Sequence, residues 1–229
     1  MLESLKAQYD RIIVFDTETT GIDCRRDEII ELGIMQASFG SDMPIPERED
    51  DYLIRLSEGR SLPPEIVELT GITELMLAAE GVSKETVCRA LSSYFASQRV
   101  LLVAYNAQFD LCFLYFFLKQ FGCAGILKGI QMLDLLTVYK DRRPYPHKLC
   151  NAIESYGLMS ENTHRAVDDA HATLELLYAM AAEKDDLERY INLFGYNPKY
   201  GVSGPKISSV RYVPQGYRET CPLYEKTGC

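Results

Sequence analysis

The sequence predicts an α/β domain built on a mixed sheet, and three observations carry that expectation. Apolar runs of strand length open the chain and recur between longer segments of helical period. Their order reads βββ and then α, β, α, β, α, α, which layers helices on a sheet. The 229 residues are 47% hydrophobic and 25% charged, an ordinary composition for a globular domain with a full core.

The elements follow in order. RIIVFD (11–16) reads as a short buried strand, EIIELGIMQASF (28–39) as a longer one, and DYLIRL (51–56) as a third after the loop GSDMPIPERED. Short connections suggest an antiparallel meander. LPPEIVELTG opens a Pro-led helical turn, and SKETVCRALSSYFA is a helix with Ser83 as its N-cap. LLVAY (101–105) is a strand feeding a helix from about 107 to 121, with Asn106 at the N-cap. GIQML (129–133) leads into DLLTVYK, where Asp134 marks the helix start. CNAIESYG (150–157) and AVDDAHATLELLYAMAAEK (166–184) complete the helices. Beyond about Lys184 the pattern decays into NPKYGVSGPK. Residues 1–185 are therefore expected to form the main domain, and 186–229 a C-terminal appendage with one strand at 207–213.

Charge narrows the function. With 24 Lys and Arg against 33 Asp and Glu, the net charge of −9 excludes broad electrostatic binding of nucleic acid. Residues 186–229 hold six basic residues against four acids, a net of +2, so the remainder carries −11. A polyanionic partner would then need a mediator, and a divalent metal is the obvious one. No apolar run approaches the roughly 20 residues of a membrane helix, and MLESLKAQYD lacks an apolar signal segment. The expected location is the cytoplasm, with no membrane partner. Seven cysteines without a CxxC pair suggest reduced thiols rather than a disulfide frame or a zinc site.

FDTETTG (15–21) places Asp16 and Glu18 two residues apart at the end of the first strand. Alternate strand residues share a face about 6.6 Å apart. Two carboxylates so placed can hold divalent cations jointly, although taken alone DxE is a weak signal and reads better as a polar turn. Asp110 shifts that balance. In a helix over 107–121 it shares a face with Phe113, Leu114, Phe117 and Phe121, and an inward carboxylate is costly unless it is paired or metal-bound. The last helix repeats the arrangement. Asp169 lines up with Thr173, Leu176, Leu177 and Met180 on the apolar face, whereas Asp168 lines up with His171 and Glu175 on the wet one. His164 lies five residues before Asp169, about 140° around a helix, so it belongs to the preceding loop, folded over the site. Four acids with one imidazole suit metal-assisted phosphodiester hydrolysis. Hard oxygen ligands hold the cations, and an imidazole of unperturbed pKa about 6.5 takes a proton from water.

FDTETTG, NAQFD with Asp110, and HRAVDDA with His164 and Asp169 together resemble the three motifs of the DEDDh, or DnaQ-like, 3′–5′ exonucleases. That family includes the proofreading epsilon subunit of bacterial DNA polymerase III. LTGIT (69–73) and HKLCNAIESYGL (147–158) look like family segments as well, so the resemblance covers roughly residues 10–182. It implies a ribonuclease H-like fold: a five-stranded mixed sheet, its second strand antiparallel, flanked by helices. It carries over Asp16, Glu18, Asp110 and Asp169 as ligands of two Mg²⁺ or Mn²⁺ ions, and His164 as general base. It also implies that the Thr17–Thr19 backbone and Leu69, Thr70 and Gly71 lie near the 3′-terminal nucleotide, with Phe109 helping to line that pocket.

The implied activity is release of nucleoside 5′-monophosphates from single-stranded 3′ ends, with DNA favoured. Trimming of RNA or oligoribonucleotides competes with it, because the 2′-OH contact that separates the two is not legible. A non-catalytic nucleic-acid or polymerase-binding module ranks below both, since all four acids and the histidine are present. Two departures stand out. Tyr105 occupies a position where many relatives have His, and the tail does not match the polymerase-binding segment of the epsilon subunit. A DNA polymerase as partner thus rests on the motifs alone.

Overall fold

The computed structural model describes residues 2–39, 46–95, 99–216 and 221–228. A short N-terminal helix α1 (Glu3–Lys6) precedes the meander β1 (Arg11–Thr19), β2 (Ile29–Ser38) and β3 (Pro46–Leu53). Helices α2 (Pro64–Thr70), α3 (Glu74–Ala79) and α4 (Lys84–Tyr94) follow. The remaining core alternates as β4 (Val100–Ala104), α5 (Ala107–Gln120), β5 (Gln131–Asp134), α6 (Leu135–Arg142), α7 (Leu149–Tyr156) and α8 (Ala166–Glu183). The strands form one sheet in the order β3-β2-β1-β4-β5, with β2 antiparallel to β1 and to β3, and β4 and β5 parallel to β1. This is the expected five-stranded mixed sheet with its second strand antiparallel. Among the described residues no helix is long and apolar enough to cross a membrane.

Three local differences from the sequence reading have physical causes. β1 runs on through Thr19, so Asp16 and Glu18 are paired strand residues, not turn residues, opposite Gly33 and Glu31. β3 begins at Pro46, inside the expected loop, whose residues 40–45 lie outside the described set. Its PEREDD half exposes alternate side chains as an edge strand, and charge there suppresses the apolar signal. Helix α3 was not expected; Thr73 caps it by accepting from the Met76 N–H. Ser83 caps α4 as expected, accepting from the Thr86 N–H.

Strand alternation splits the interior into two layers. Ile12, Val14, Met35, Leu101 and Val103 pack against α6, α7 and α8, whereas Ile13, Phe15, Ile34, Leu102 and Ala104 pack against α4 and α5. The C-terminal segment joins both layers. Leu187, Tyr190, Leu193 and Leu223 are buried in the first, and Phe194 and Val210 in the second. A two-stranded parallel pair, β6 (Leu193–Tyr196) and β7 (Arg211–Pro214), organises it. Asp141 at the end of α6 receives the Gln215 amide and the Leu223 N–H at 2.7 and 2.6 Å. The six described cysteines are free.

Candidate active site

Even-numbered residues of β1 face the α8 layer, so Ile12 and Val14 lead to Asp16 and Glu18 where the strand passes the end of its core. Both acids are half-buried. Thr17 faces the other layer. Its N–H and hydroxyl both donate to Asp110 Oδ1, at 3.1 and 2.7 Å, which draws the first turn of α5 to the strand. Asp110 is buried. A second fastening comes from Asp134 at the end of β5, which accepts from the Asn106 and Ala107 N–H groups. The same carboxylate caps α6 through the Leu136 and Thr137 N–H groups and the Thr137 hydroxyl. Asp134 is thus the expected helix start and also caps α5. Asn106 takes the N-cap position with φ of 69° but makes no side-chain cap bond, because Asp134 supplies that acceptor.

Helix α8 arrives over β2 at Gly33. A Cβ there would lie 2.3 Å from the Ala166 carbonyl carbon and the Val167 nitrogen, so only glycine admits this approach. Asp169, buried, then points inward, where it accepts from the Asn162 amide and the Thr163 N–H. Asp168 is exposed and takes the Thr163 hydroxyl. The inward choice of Asp169 over Asp168 matches the helical-face argument. His164 sits in the loop before α8 in a left-handed conformation, φ 56°. Ligand atoms of Glu18, His164 and Asp169 lie within 4.8 Å of one another.

The electrostatics of the four acids are unfavourable as they stand. Burial, reinforced by Asp110, Asp169, Glu18 and Glu31, holds the Asp16 carboxyl well above the usual range. Burial and then Asp169, Glu31 and Asp110 push Glu18 up to about 8, with Arg165 opposing. Burial raises Asp110 to about 7 against the two Thr17 bonds, and it raises Asp169 against the Asn162 bond. Carboxylates crowded in this way need positive charge. A set of hard oxygens plus one imidazole fits a divalent cation, and the donor set favours Mg²⁺- or Mn²⁺-type ions over soft ones.

The other expected residues are placed as follows. The Thr19 hydroxyl donates to the Gly21 carbonyl. Thr70 closes the end of α2, its hydroxyl donating to Ile66 O and accepting from the Ile72 N–H, and Gly71 follows with φ of 69°. Leu69 is 49% exposed. Phe109 packs at 4.8 Å on Phe113. Tyr105 donates to the His147 carbonyl at 2.9 Å, a structural use that leaves the acids untouched.

Sequence reasoning missed Glu31 and Arg165. Glu31 is fully buried on β2 opposite Glu18. It accepts from Nε and a terminal nitrogen of Arg165, and its second oxygen takes the Ala166 N–H. A charge inside the apolar run IIELGI was the available signal, by the same reasoning that singled out Asp110.

An α/β nuclease-type domain with an acidic, cation-seeking cleft is the class that this geometry defines. Comparison with known proteins agrees. Residues 13–177 match the Exonuclease (RNase T) family. A PolC-type DNA polymerase III from Clostridium perfringens is 33% identical over 78% of this chain and 12% of its own length. The epsilon subunit of DNA polymerase III from Treponema pallidum is 30% identical over 73% of this chain and 75% of its own. The chain thus spans only about an eighth of the PolC-type relatives it matches. Among solved structures, Escherichia coli exonuclease I in complex with a dT13 oligonucleotide superposes with a TM-score of 0.70. That match has 18% identity and covers 79% of this chain and 43% of that one. A zinc-bound form of the same enzyme with single-stranded DNA gives 0.70 as well, at 19% identity over 80% and 43%. The chain belongs to the exonuclease family.

Proposed function

We propose that this domain is a divalent-metal-dependent 3′–5′ exonuclease that removes nucleoside 5′-monophosphates from single-stranded 3′ ends, with DNA favoured. The observation that carries the reading is the convergence of Glu18, Asp169 and His164 within 4.8 Å, beside Asp16 and Asp110. The preference for DNA is supported by relatives named as DNA polymerase III proteins and by the oligodeoxynucleotide in the exonuclease I complex.

Asp16, Glu18, Asp110 and Asp169 would hold two cations, Mg²⁺ or Mn²⁺. When bound, such ions acidify a water and stabilise the attacking and leaving oxygens of in-line displacement. The chain's own groups do the rest. Thr17 orients Asp110 through two bonds, and Asn162 with the Thr163 N–H orients Asp169. His164, held beside Glu18 and Asp169, accepts the proton of the attacking water. Exposed Leu69 and the Phe109 ring offer apolar contact to the terminal base, flanked by the Thr17–Thr19 backbone and the Thr70–Gly71 turn.

The test is incubation of the protein with 3′- and 5′-labelled single-stranded DNA and RNA in Mg²⁺, Mn²⁺ or EDTA. Stepwise shortening from the 3′ end, faster on DNA and abolished by EDTA, is expected. No metal-dependent shortening of either polymer would refute the reading.

A further inference from the structure

A cavity of about 550 Å³ opens on the outer side of α5, between that helix, the segment 124–132 and the tail residues 205–209, and none of the site acids lines it. Its floor is the sheet itself. Buried Leu102 of β4 and Met132 of β5 form the bottom, with buried Leu111 of α5 beside them. Partly buried Leu127, Ile130 and Ile207 continue the apolar lining.

Charge in the lining has one sign. Lys119, Lys128 and Lys206 are exposed, one on each wall, and none of the chain's 33 Asp and Glu residues lines the cavity. An exposed lysine lays its apolar stem along a wall and keeps its ammonium in water, which gathers positive charge at the rim of an apolar interior. Lys119 Nζ stands 5.9 and 5.8 Å from the Tyr115 and Phe116 ring centroids, and Lys206 Nζ stands 5.7 Å from that of Tyr212.

The tail wall is tied to α5 rather than laid against it. Gln108 Nε2 donates to the Ser203 and Pro205 carbonyls at 2.8 and 2.9 Å. The Tyr212 hydroxyl donates to Gln108 Oε1 at 2.6 Å and accepts from the Ile207 N–H. The cavity is thereby preformed, so an occupant would not have to order its walls.

We propose that this cavity binds a small amphipathic anion, an apolar body carrying one acidic group such as a carboxylate. Three features select that class. The volume falls in the range of about 300–1,000 Å³ typical of small-molecule pockets. The lining offers an apolar body burial against the sheet, which a wholly polar anion such as inorganic phosphate could not exploit. The acid-free mouth with its lysines then favours a negative head group, on a chain whose net charge of −9 repels anions elsewhere.

The test titrates the wild-type chain in EDTA with two fluorescent probes of the same body, 1-pyrenebutyrate and uncharged 1-pyrenebutanol. Saturable one-to-one binding of the butyrate is expected, with a raised thermal midpoint and an affinity about tenfold above that of the alcohol. Lys119→Glu/Lys206→Glu should weaken the butyrate at least about tenfold and leave the alcohol unchanged. A thermal midpoint near that of wild type checks the fold, and Lys119→Gln/Lys206→Gln, expected to show a smaller loss of the same sense, is the milder second variant. Absence of saturable butyrate binding would overturn the proposal. So would equal affinity for the two probes, or butyrate binding that neither variant weakens. Binding of an acidic amphipathic peptide in place of the small anion would assign the face to a protein partner and overturn it as well. The probes contain no phosphodiester and EDTA removes divalent cations, so the outcome is independent of the exonuclease reading.

Discussion

Glu31 and Arg165, 134 residues apart, meet as a forked ion pair at the base of the site, with one carboxylate oxygen 2.7 and 2.5 Å from two guanidinium nitrogens. Glu31 is fully buried, and its other oxygen fixes the first N–H of α8 at 2.8 Å. The pair thus ties β2 to the loop that carries His164. Glu31→Gln is expected to destabilise the fold by about 1–3 kcal/mol, because Arg165 loses its buried charged partner and keeps only the longer contact to Asp51, at 3.6 Å, while hydrogen bonding persists in part. Arg165→Lys keeps the charge but loses the fork, and kcat is expected to fall more than KM rises. Urea unfolding and steady-state kinetics read the two effects.

Thr17 supplies two of the hydrogen bonds that favour ionised Asp110, beside one from Asp110's own backbone N–H, although burial has already raised that carboxyl to about 7. Thr17→Val removes the hydroxyl donor, so the carboxyl rises further. The acidic limb of the pH–rate profile is expected to move to higher pH, with a stability loss of about 1 kcal/mol. A limb that stays in place would show that Asp110 does not titrate in the active form.

Stability should depend on pH in a sense opposite to that of most acidic clusters. Asp110 and Glu18 sit at about 7 and about 8 in the fold, above their unfolded values. Groups raised in this way contribute stability below the unfolded pKa and lose it as pH climbs through the folded one. In EDTA the melting temperature is therefore expected to drop between about pH 5 and 8. On the proposed metal role, Mn²⁺ bound by the folded site alone should remove most of that drop.

Gly33→Ala would place a Cβ 2.3 Å from the backbone of Ala166 and Val167, and backbone cannot swing aside as a side chain can. A loss of about 3 kcal/mol or more is expected, together with loss of activity as Asp169 is pushed from the cleft. Gly125→Ala, where no atom lies within 4 Å, is the control and should melt like wild type.

Deletion of 186–229 would remove Leu187, Tyr190, Leu193 and Phe194 from the two layers, uncover the parts of α6 and β5 they pack on, and strip Asp141 and Gln108 of their tail partners. The expected product is insoluble or binds an apolar dye strongly. A soluble, cooperatively melting 1–185 fragment would show that the tail is dispensable for folding.

The order of strands and helices was legible because apolar periodicity marks buried elements, and the inward faces of α5 and α8 picked out Asp110 and Asp169. β3 was misplaced because an edge strand written PEREDD carries charge where periodicity needs apolar residues. The tail looked like an appendage because its buried residues are spread through Gly- and Pro-rich chain; only three-dimensional packing gathers Tyr190, Leu193 and Leu223 into one layer. Glu31 went unassigned because the meaning of a buried acid lies in its partner, and Arg165 is remote in sequence. Asn106 kept its cap position but ceded the capping bond to Asp134, a pairing across 28 residues that local rules do not reach.

The central claim is that Asp16, Glu18, Asp110 and Asp169 act as one cation site. Calorimetric titration with Mn²⁺ at pH 7.5, repeated in buffers of different ionisation enthalpy, tests it most directly. Two bound ions accompanied by proton release are expected for wild type, because the raised carboxyls must ionise on binding, and loss of at least one ion for Asp16→Asn. No saturable Mn²⁺ binding, or equal binding by wild type and Asp16→Asn, would contradict the account.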